Sequence, residues 1–274
     1  MSFTCSHDVN PLYLKKDTLS RPLAFFLICS IEKQKVCFQY SRKWRPKRMV
    51  KSKMLLPVNK INEPDYQFME DYSKSIFEKK EKKYKDYITK VLEKLEYKEI
   101  ESLEDKEWGE FFVVGIFDTI QRGKRLTKAN QAEGNIPYVS STATNNGVDN
   151  FIGNTKDVRI FENCITIANS GSVGASFYHP YRFVASDHVT HLQKEEMSEY
   201  IYLFISTLTN RFSKKYNFNR EINDTRISRE KILLPVNDIN EPDYEYMEQY
   251  MKNLKYQKIK QYLDYLAKQQ DKFE

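Results

Sequence analysis

The chain has 274 residues, of which 40% are apolar and 30% are charged, and its formal net charge is +6. This composition is typical of a water-soluble globular protein with room for one full domain and smaller parts. The longest mainly apolar run has nine residues, against roughly 20 for a membrane-spanning helix, so we predict no membrane contact and a cytoplasmic location. The four cysteines lack the spacing of a zinc site or a disulfide framework, and we interpret them as small core residues.

Residues 1–59 are strongly basic, with 12 Lys or Arg against three acids. Within this range, the apolar run at residues 23–31 predicts a helix. The following stretch, residues 63–106, has 13 acids against 10 lysines, so the positive charge lies outside this connector. Concentrated positive charge indicates a phosphate-bearing partner, and the alternative is a lysine-rich solvated surface.

A nearly identical sequence occurs twice, at residues 54–72 and at residues 232–250. Fourteen of the 19 positions are identical, and the two copies are offset by 178 residues. Because this offset is far longer than a solenoid repeat, the repeated unit is a domain together with its connector. The same offset pairs basic residues upstream, namely Arg42 with Arg220, Arg48 with Arg226 and Lys53 with Lys231.

The repeat predicts that the first copy is incomplete. The second copy opens near Glu107, and the same offset would place the opening of the first copy well before Met1. We therefore expect an N-terminally truncated chain in which residues 1–59 are the C-terminal remnant of a first domain. The predicted helix at residues 23–31 then corresponds to residues 201–208 of the second copy.

Two connectors, residues 60–106 and 238–274, are predicted to form long helices. Apolar residues recur at three-and-four spacing in both, and each helix starts with a proline followed by acidic residues. Neither contains an internal proline or glycine, so we expect continuous helices over residues 65–104 and 243–272. Packing of the two apolar stripes would give an antiparallel coiled-coil spacer, and the alternative is that each helix covers its own domain.

Residues 107–237 are predicted to form a complete α/β domain of short strands and helices. Asn145-Asn146-Gly147 is a tight-turn signal between two of the strands. We expect strands at residues 111–116, 117–120, 136–140, 148–152, 158–161, 164–168, 175–178 and 183–184.

The stretch NSGSVGAS, residues 169–176, lies between two predicted strands. A phosphate-binding P-loop would have Gly-Lys-Ser or Gly-Lys-Thr after the glycines, so we interpret this stretch as a hairpin turn. A weaker interpretation is that Asn169, Ser170 and Ser172 donate hydrogen bonds to a ligand.

Three histidines, His179, His188 and His191, lie close in sequence but have no accompanying nucleophile motif. Such histidines beside strands are more often structural than catalytic. The sequence therefore predicts neither catalytic residues nor metal ligands. It also has no glycine-rich fingerprint of a dinucleotide or methyl-donor pocket.

A series of weak landmarks extends through residues 107–237 and into the repeated segment. They are Trp108, Phe111, residues 116–120 (IFDTI), Gly123-Lys124, residues 136–139 (IPYV), Asn145-Asn146-Gly147, residues 171–174 (GSVG), Phe177-Tyr178, residues 186–189 (SDHV), Arg220, Arg226 and residues 233–236 (LLPV). In this order, and with the last part repeated, they resemble the specificity subunits of type I restriction-modification systems and of the related BcgI-like type II systems. The resemblance covers nearly the whole chain.

The resemblance implies two target recognition domains that each read half of a split DNA sequence, held apart by antiparallel helices that dock modification subunits. It implies a chain without catalytic activity or bound cofactor, with S-adenosylmethionine on the partner methyltransferase. The implied partners are double-stranded DNA, methyltransferase subunits and a restriction subunit. Because only residues 107–237 form a complete domain, the chain is either a degenerate subunit or a half-subunit that pairs with a second copy as a homodimer.

We predict that side chains on three loops contact base edges and phosphates, with the third loop as the strongest phosphate candidate. For Arg220 and Arg226, a structural role that holds domain to helix is an equal alternative, because both recur in the other copy. The candidates are Gln121, Arg122, Lys124, Arg125 and Lys128 in the first loop, Ser141, Thr142, Asn145 and Asn146 in the second, and Lys214, Lys215, Tyr216, Asn217 and Arg220 in the third.

Three functional hypotheses compete. A DNA-recognition subunit requires salt-sensitive DNA binding and association with a methyltransferase. An independent enzyme requires turnover by this chain alone, and a helix-mediated interaction scaffold requires partner binding without DNA affinity. We favour the first, with a relic that binds no DNA as its degenerate form.

Overall fold

The computed structural model describes residues 4–7, 9–15, 18–38 and 42–270. The chain divides into two compact units, Met1–Val91 and Leu92–Glu274. The chain combines helices with short strands, all of them in the second unit, which confirms the predicted α/β class. In the part of the chain that the structure describes, no helix combines the length and apolar character required to cross a membrane.

The first unit is built around two helices, α1 (Arg21–Glu32) and most of α3 (Tyr66–Lys94), with a short helix α2 (Pro46–Met49) between them. The predicted helix at residues 23–31 is confirmed. The hydroxyl of Ser20 accepts from the backbone N–H of Leu23 and so caps the start of α1. Aromatic side chains join α1 to α3, because Phe25 and Phe77 have ring centroids 5.2 Å apart.

The second unit contains three small sheets. A two-stranded sheet pairs β1 (Trp108–Phe112) with β10 (Lys231–Pro235) in antiparallel register. The second sheet is antiparallel, in the order β2 (Thr119–Arg122), β9 (Val189–Gln193), β6 (Cys164–Ala168) and β7 (Ser176–His179). The third has the order β4 (Val148–Ile152), β3 (Glu133–Val139), β8 (Phe183–Ala185) and β5 (Ile160–Phe161).

Helices of the second unit pack on the first two of these sheets. They are α4 (Val113–Ile116), α5 (Glu199–Thr209), α6 (Asp224–Ile227) and α7 (Tyr244–Gln270). The main core lies between α5 and the second sheet, where Tyr202, Ile165 and Ile167 are fully buried. Burial of such side chains is the dominant stabilising term of the domain.

Most of the predicted strands are present, and one of them is replaced in part by a helix. The hairpin of β3 and β4 is confirmed, and both Asn145 and Asn146 have positive φ at its turn. The predicted strand at residues 111–116 is wrong beyond Phe112, because residues 113–116 form α4. Val113 and Ile116, one helical turn apart, are both buried there. The sequence did not predict β9 or β10.

The cysteines differ in environment. Cys164 is fully buried in β6, and desolvation raises the pKa of its thiol to about 12. The core interpretation therefore holds for Cys164. It is wrong for Cys5, Cys29 and Cys37, which are exposed.

The helix α3 ends at Lys94 and not at residue 104 as predicted. The residues that follow run extended beside α7. There the side-chain amide of Asn253 accepts a hydrogen bond from the backbone N–H of Lys98 at 3.1 Å and donates one to the backbone oxygen of Lys98 at 2.6 Å. These side-chain partners replace the hydrogen bonds of a continued helix. Two further contacts hold the segment, from Gln249 to the backbone oxygen of Glu96 and from Tyr246 to that of Glu101, both at 2.9 Å.

The helix α7 agrees with the second predicted connector, and residues 271–272 of that prediction lie outside the described residues. The antiparallel packing of the two long helices stays a prediction. The same holds for the predicted domain boundaries at residues 59, 106 and 237.

The repeated sequence folds into the same turn in both units. Each turn begins at an asparagine, Asn59 or Asn237. Its side-chain oxygen accepts hydrogen bonds from two backbone N–H groups further along the turn, with N···O distances of 3.0 to 3.2 Å. Each contains a second asparagine with positive φ, 63° for Asn62 and 59° for Asn240. Each ends at an aspartate that caps the following helix, Asp65 for α3 and Asp243 for α7, at 2.9 Å. The turn is therefore determined by local sequence.

Replacement of Asn253 by alanine removes both hydrogen bonds to Lys98 and leaves these backbone groups without their side-chain partner. We expect a loss of about 2 kcal/mol in the free energy of unfolding, measured by denaturant titration. The matched control is Ser75→Ala, at the position 178 residues earlier, which should change stability by less than about 0.5 kcal/mol. Equal effects of the two substitutions would contradict this account of the α3 terminus.

Candidate nucleic-acid interface

The turn between β6 and β7, residues 169–175, lies at the centre of the predicted site and is called the central turn below. Its two glycines have positive φ, +59° for Gly171 and +84° for Gly174. A Cβ on Gly171 would lie 2.7 Å from the backbone oxygen of Ser141, and one on Gly174 would lie 2.3 Å from the backbone nitrogen of Ser213. Glycine is therefore required at both positions, because neighbouring loops approach the backbone this closely.

The second predicted loop packs against the central turn through hydrogen bonds. The backbone N–H of Ser172 donates to the oxygen of Ser141 at 2.9 Å, and the hydroxyl of Ser172 accepts from the N–H of Ala143 at 3.2 Å. The hydroxyls of Thr142 and Thr144 are 2.9 Å apart. These contacts fix the loop that presents the exposed side chains of Asn145 and Asn146.

The third predicted loop is joined to the other side of the central turn. The backbone N–H of Ile222 donates to the oxygen of Asn169 at 3.1 Å. Tyr216 is only 2% exposed and its hydroxyl donates to the carboxylate of Glu230, which Lys215 also contacts at 2.8 Å. Burial first, and Glu230 second, raise the pKa of Tyr216 to about 12. Tyr216 thus has a packing role, while Lys214 and Asn217 are exposed.

The first predicted loop is tied to the third by Arg122. Its guanidinium donates to the carboxylate of Asp224 and to the backbone oxygen of Ile222, both at 3.0 Å. Lys124 instead pairs with Asp157 at 3.2 Å, and both side chains are largely in solvent. The remaining candidates of this loop, Gln121, Arg125 and Lys128, are exposed.

The structure therefore brings the second and third loops to one turn, joins the first loop to the third through Arg122, and directs Lys124 to a different partner. Which of these residues contact DNA stays a prediction.

The recurring arginines make the same contacts in both copies. Arg220 lies over the ring of Tyr216 with a distance of 5.3 Å to its centroid, and Arg42 lies over the equivalent Phe38 at 5.9 Å. Arg226 donates to the backbone oxygen of Glu221, as Arg48 does to that of Lys43 at 2.7 Å. These repeated contacts favour the structural alternative for Arg226, and they give Arg220 a fixed position over an aromatic ring.

Two residues outside the three predicted loops are further polar groups of this region, Asn169 within the central turn and His188 beside it. His188 is exposed, and its Nδ1 is 2.8 Å from the hydroxyl of Ser170. Asn169 is buried, and its amide nitrogen is the one buried side-chain nitrogen or oxygen among the described residues that has no hydrogen-bond partner. The sequence signal for Asn169 is the polar composition of the glycine-containing stretch, which supports the weaker interpretation of residues 169–176.

The other two histidines have structural environments. His179 is fully buried, its Nε2 is 2.8 Å from the hydroxyl of Thr166, and desolvation lowers its pKa to about 4. The ring of His191 stacks on Phe161 at 3.9 Å, and its Nδ1 donates to the backbone oxygen of Gln121 at 2.7 Å. Desolvation is also the main cause that lowers the pKa of His191.

Comparison with known proteins defines the class. Residues 105–263 match the type I restriction modification DNA specificity domain family. The chain is 33% identical over 240 residues to the specificity subunit of the type II restriction enzyme BcgI from Heyndrickxia coagulans, a match that covers 87% of this chain and 68% of that relative. The chain therefore belongs to the family of restriction-modification specificity subunits.

Two solved structures match part of this chain at lower identity. The S subunit of a type I restriction-modification system from M. genitalium is 18% identical with a TM-score of 0.42, and covers 61% of this chain. The HsdS subunit from Thermoanaerobacter tengcongensis is 13% identical with a TM-score of 0.41, and covers 73% of this chain. This chain spans less than half of either one, 44% and 49% of their lengths.

The buried His179 predicts a pH-dependent stability. Because its pKa is lowered in the folded state, the unfolded chain binds more protons below about pH 6.5, and stability falls as the pH drops from there towards 4. His179→Gln should remove roughly 2 kcal/mol of the loss between pH 6.5 and 5, measured by urea unfolding at each pH. The original chain, measured over the same pH range, is the reference. An unchanged slope in His179→Gln would show that the ring titrates normally.

Proposed function

We propose that this chain is the DNA-recognition subunit of a restriction-modification system and binds double-stranded DNA through residues 107–237. The observation that carries the proposal is the meeting of polar and basic loops at the central turn, in a chain of the specificity-subunit family. Loops held by a rigid sheet are a common way to present side chains to a ligand. Exposed amides and hydroxyls, such as those of Asn145 and Asn146, suit base edges, and exposed lysines such as Lys214 suit phosphates.

The charge of the first unit supports an additional phosphate contact. Residues 42–53, called the basic segment below, have seven Lys or Arg and no acid, and all seven are exposed. The equivalent residues 220–231 have four basic residues and three acids. Of these acids, Asp224 and Glu230 pair with Arg122 and Lys215 of the second unit. Residues 42–53 therefore have a larger excess of positive charge than residues 220–231, which favours binding to a polyanion.

Catalysis belongs to partner chains in this proposal. The methyltransferase subunits would bind S-adenosylmethionine and dock on the long helices, and a restriction subunit would join the same assembly. The buried His179 and His191 are already engaged in the core and are poorly placed for acid-base chemistry. An interaction scaffold without DNA affinity remains the second candidate, supported by the aromatic residues exposed along α3, such as Phe68 and Tyr72.

The decisive experiment is co-expression of the chain with the methyltransferase of its own system, followed by sequencing of methylated sites in the host DNA. The proposal expects a stable complex and methylation at one defined sequence. A complex that forms without any sequence preference in its methylation would favour the scaffold. Absence of both would reduce the chain to a relic.

The basic segment predicts a specific salt effect. Lys47→Gln together with Lys51→Gln should weaken DNA binding to a similar extent for all sequences and reduce the slope of log K against log salt by about 1.8. The control is Lys79→Gln with Lys80→Gln on α3, where Glu78 and Glu81 flank the lysines. Fluorescence anisotropy across a salt series measures both. Equal slopes for the two double variants would show that Lys47 and Lys51 are solvated surface residues that do not contact DNA phosphates.

The turn of the β3–β4 hairpin predicts a specificity residue. Asn145→Gly keeps a residue that tolerates φ of +50° but removes the amide side chain. We expect retained folding and complex formation, with discrimination at one base pair of the recognised sequence reduced about tenfold. Sequencing of methylated sites detects this directly. An unchanged methylation pattern would exclude a base contact by Asn145.

A further inference from the structure

The third predicted loop carries an exposed phenylalanine in a tight turn, residues 217–220, which is called the aromatic turn below. Backbone hydrogen bonds join Asn217 and Arg220 in both directions, at 3.3 and 2.9 Å. The side-chain oxygen of Asn217 also accepts from the backbone N–H of Asn219 at 3.0 Å. Phe218 lies between these closing contacts and is 80% exposed. The turn is therefore well defined, and its aromatic side chain lies in solvent.

The base of the aromatic turn is fixed by the core of the second unit. Phe212 and Tyr216 before the turn and Ile222 after it are all buried in the main core. The chain also approaches the central turn on both sides of Phe218, at Ser213 and at Ile222. A side chain held on such a base loses little conformational freedom when it binds.

Internal packing does not explain Phe218. A phenylalanine this exposed gains little from the core of its own unit. The equivalent residue of the first copy is also aromatic, Tyr40, which lies outside the described residues. Between residues 32–42 and 210–220, only one of the 11 positions is identical, Arg42 with Arg220. An aromatic residue thus occurs at this position in both copies although the surrounding sequence differs.

The surroundings of Phe218 favour a polyanionic partner. Residues 210–220 have four Lys or Arg and no acid, and the first acid along the chain is Glu221. Lys214 and Arg220, on either side of Phe218 in the sequence, are exposed. Arg220 is also positioned by the ring of Tyr216, 5.3 Å from its centroid. An exposed ring flanked by cations suits nucleic acid, where the bases are apolar and the phosphates are negative.

We propose that Phe218 inserts between two adjacent base pairs of the DNA bound by residues 107–237 and unstacks that base step. Lys214 and Arg220 would contact the phosphates on either side. This inference rests on the proposed function and adds to it the residue that deforms the duplex.

Insertion is the contact that the chemistry of Phe218 favours. Phenylalanine has no donor or acceptor, so it cannot read base edges by hydrogen bonds. Apolar side chains inserted at a base step unstack and kink a duplex in several DNA-binding folds. Because pyrimidine–purine steps unstack most easily, Phe218 would add a preference for such a step at a position that no polar side chain reads.

The test uses the full chain in complex with its methyltransferase, on duplexes of the sequence identified from methylated host DNA. Fluorescent analogues that brighten when unstacked, aminopurine for adenine and pyrrolocytosine for cytosine, replace one base at a time. Every base pair contains an adenine or a cytosine, so the two probes cover the whole sequence. Anisotropy of a dye-labelled duplex gives the affinity. The variants are Phe218→Ala and Phe218→Leu, and the matched control is Phe151→Ala, at an exposed phenylalanine of β4.

We expect the original complex and the Phe151→Ala complex to brighten the probes at one base step, besides the methylated base that the methyltransferase itself extrudes. Phe218→Ala should abolish the brightening at that step and weaken binding about tenfold. Phe218→Leu, which keeps an apolar wedge, should retain the brightening. Because Phe218 is exposed, the thermal midpoint of every variant should be unchanged.

Three results would overturn the inference. The first is the same brightening at that step in the Phe218→Ala complex. The second is weaker binding by Phe218→Ala without brightening of any base step in the original complex. Uracil in place of thymine would then show whether the ring contacts a thymine methyl group. The third is loss of the methyltransferase from the Phe218→Ala complex, which would assign Phe218 to a protein interface.

The same measurements separate this inference from the proposed function. If the original complex methylated one defined sequence but brightened only the methylated base, the recognition function would stand and the inference would fail. If the original complex showed no sequence preference, both would fail.

Discussion

The burial of β6 on both sides is the constraint on which the rest of the second unit depends. Ile165 and Ile167 pack into the core beneath α5, while Cys164 belongs to a separate cluster with Val139 and Phe183. Movement of this strand would disturb both clusters at once, which protein cores tolerate poorly. The central turn follows β6 directly. Its position, and with it the position of the loops that pack on it, is therefore set by apolar packing and not by the loops themselves.

The sequence predicted the elements that are determined by their own residues. The apolar run of α1 and the paired asparagines between β3 and β4 are examples, because periodicity and turn chemistry act over a few residues. It did not predict the end of α3 at Lys94 or the helical turn at residues 113–116. The first depends on Asn253, which is more than 150 residues away in sequence, and the second on burial of Val113 and Ile116 in a core that only the folded domain creates.

The candidate site likewise has features that are determined locally and features that depend on distant contacts. Polar and basic composition identified the loops, and the structure joins them at or near one turn, but composition did not reveal which side chains are already engaged. Arg122 is held by Asp224, 102 residues later, and Tyr216 is buried on Glu230. Gly171 and Gly174 mark the place where the loops meet, because the backbones of Ser141 and Ser213 approach them too closely for a side chain. No charged residue of the sequence indicates this place. A sequence pattern without distances cannot separate a glycine needed for φ from one needed for space.

The pairing of β1 with β10 has a consequence for how such a chain can change. Trp108 lies opposite Pro235, so the polypeptide enters and leaves the intervening 126 residues at neighbouring points of one two-stranded ribbon. A segment whose two ends are adjacent can be exchanged for another of different length without moving what lies outside it. A replacement between these two strands that keeps the surface of α5 on which α7 packs would thus leave the capped turn and α7 in place.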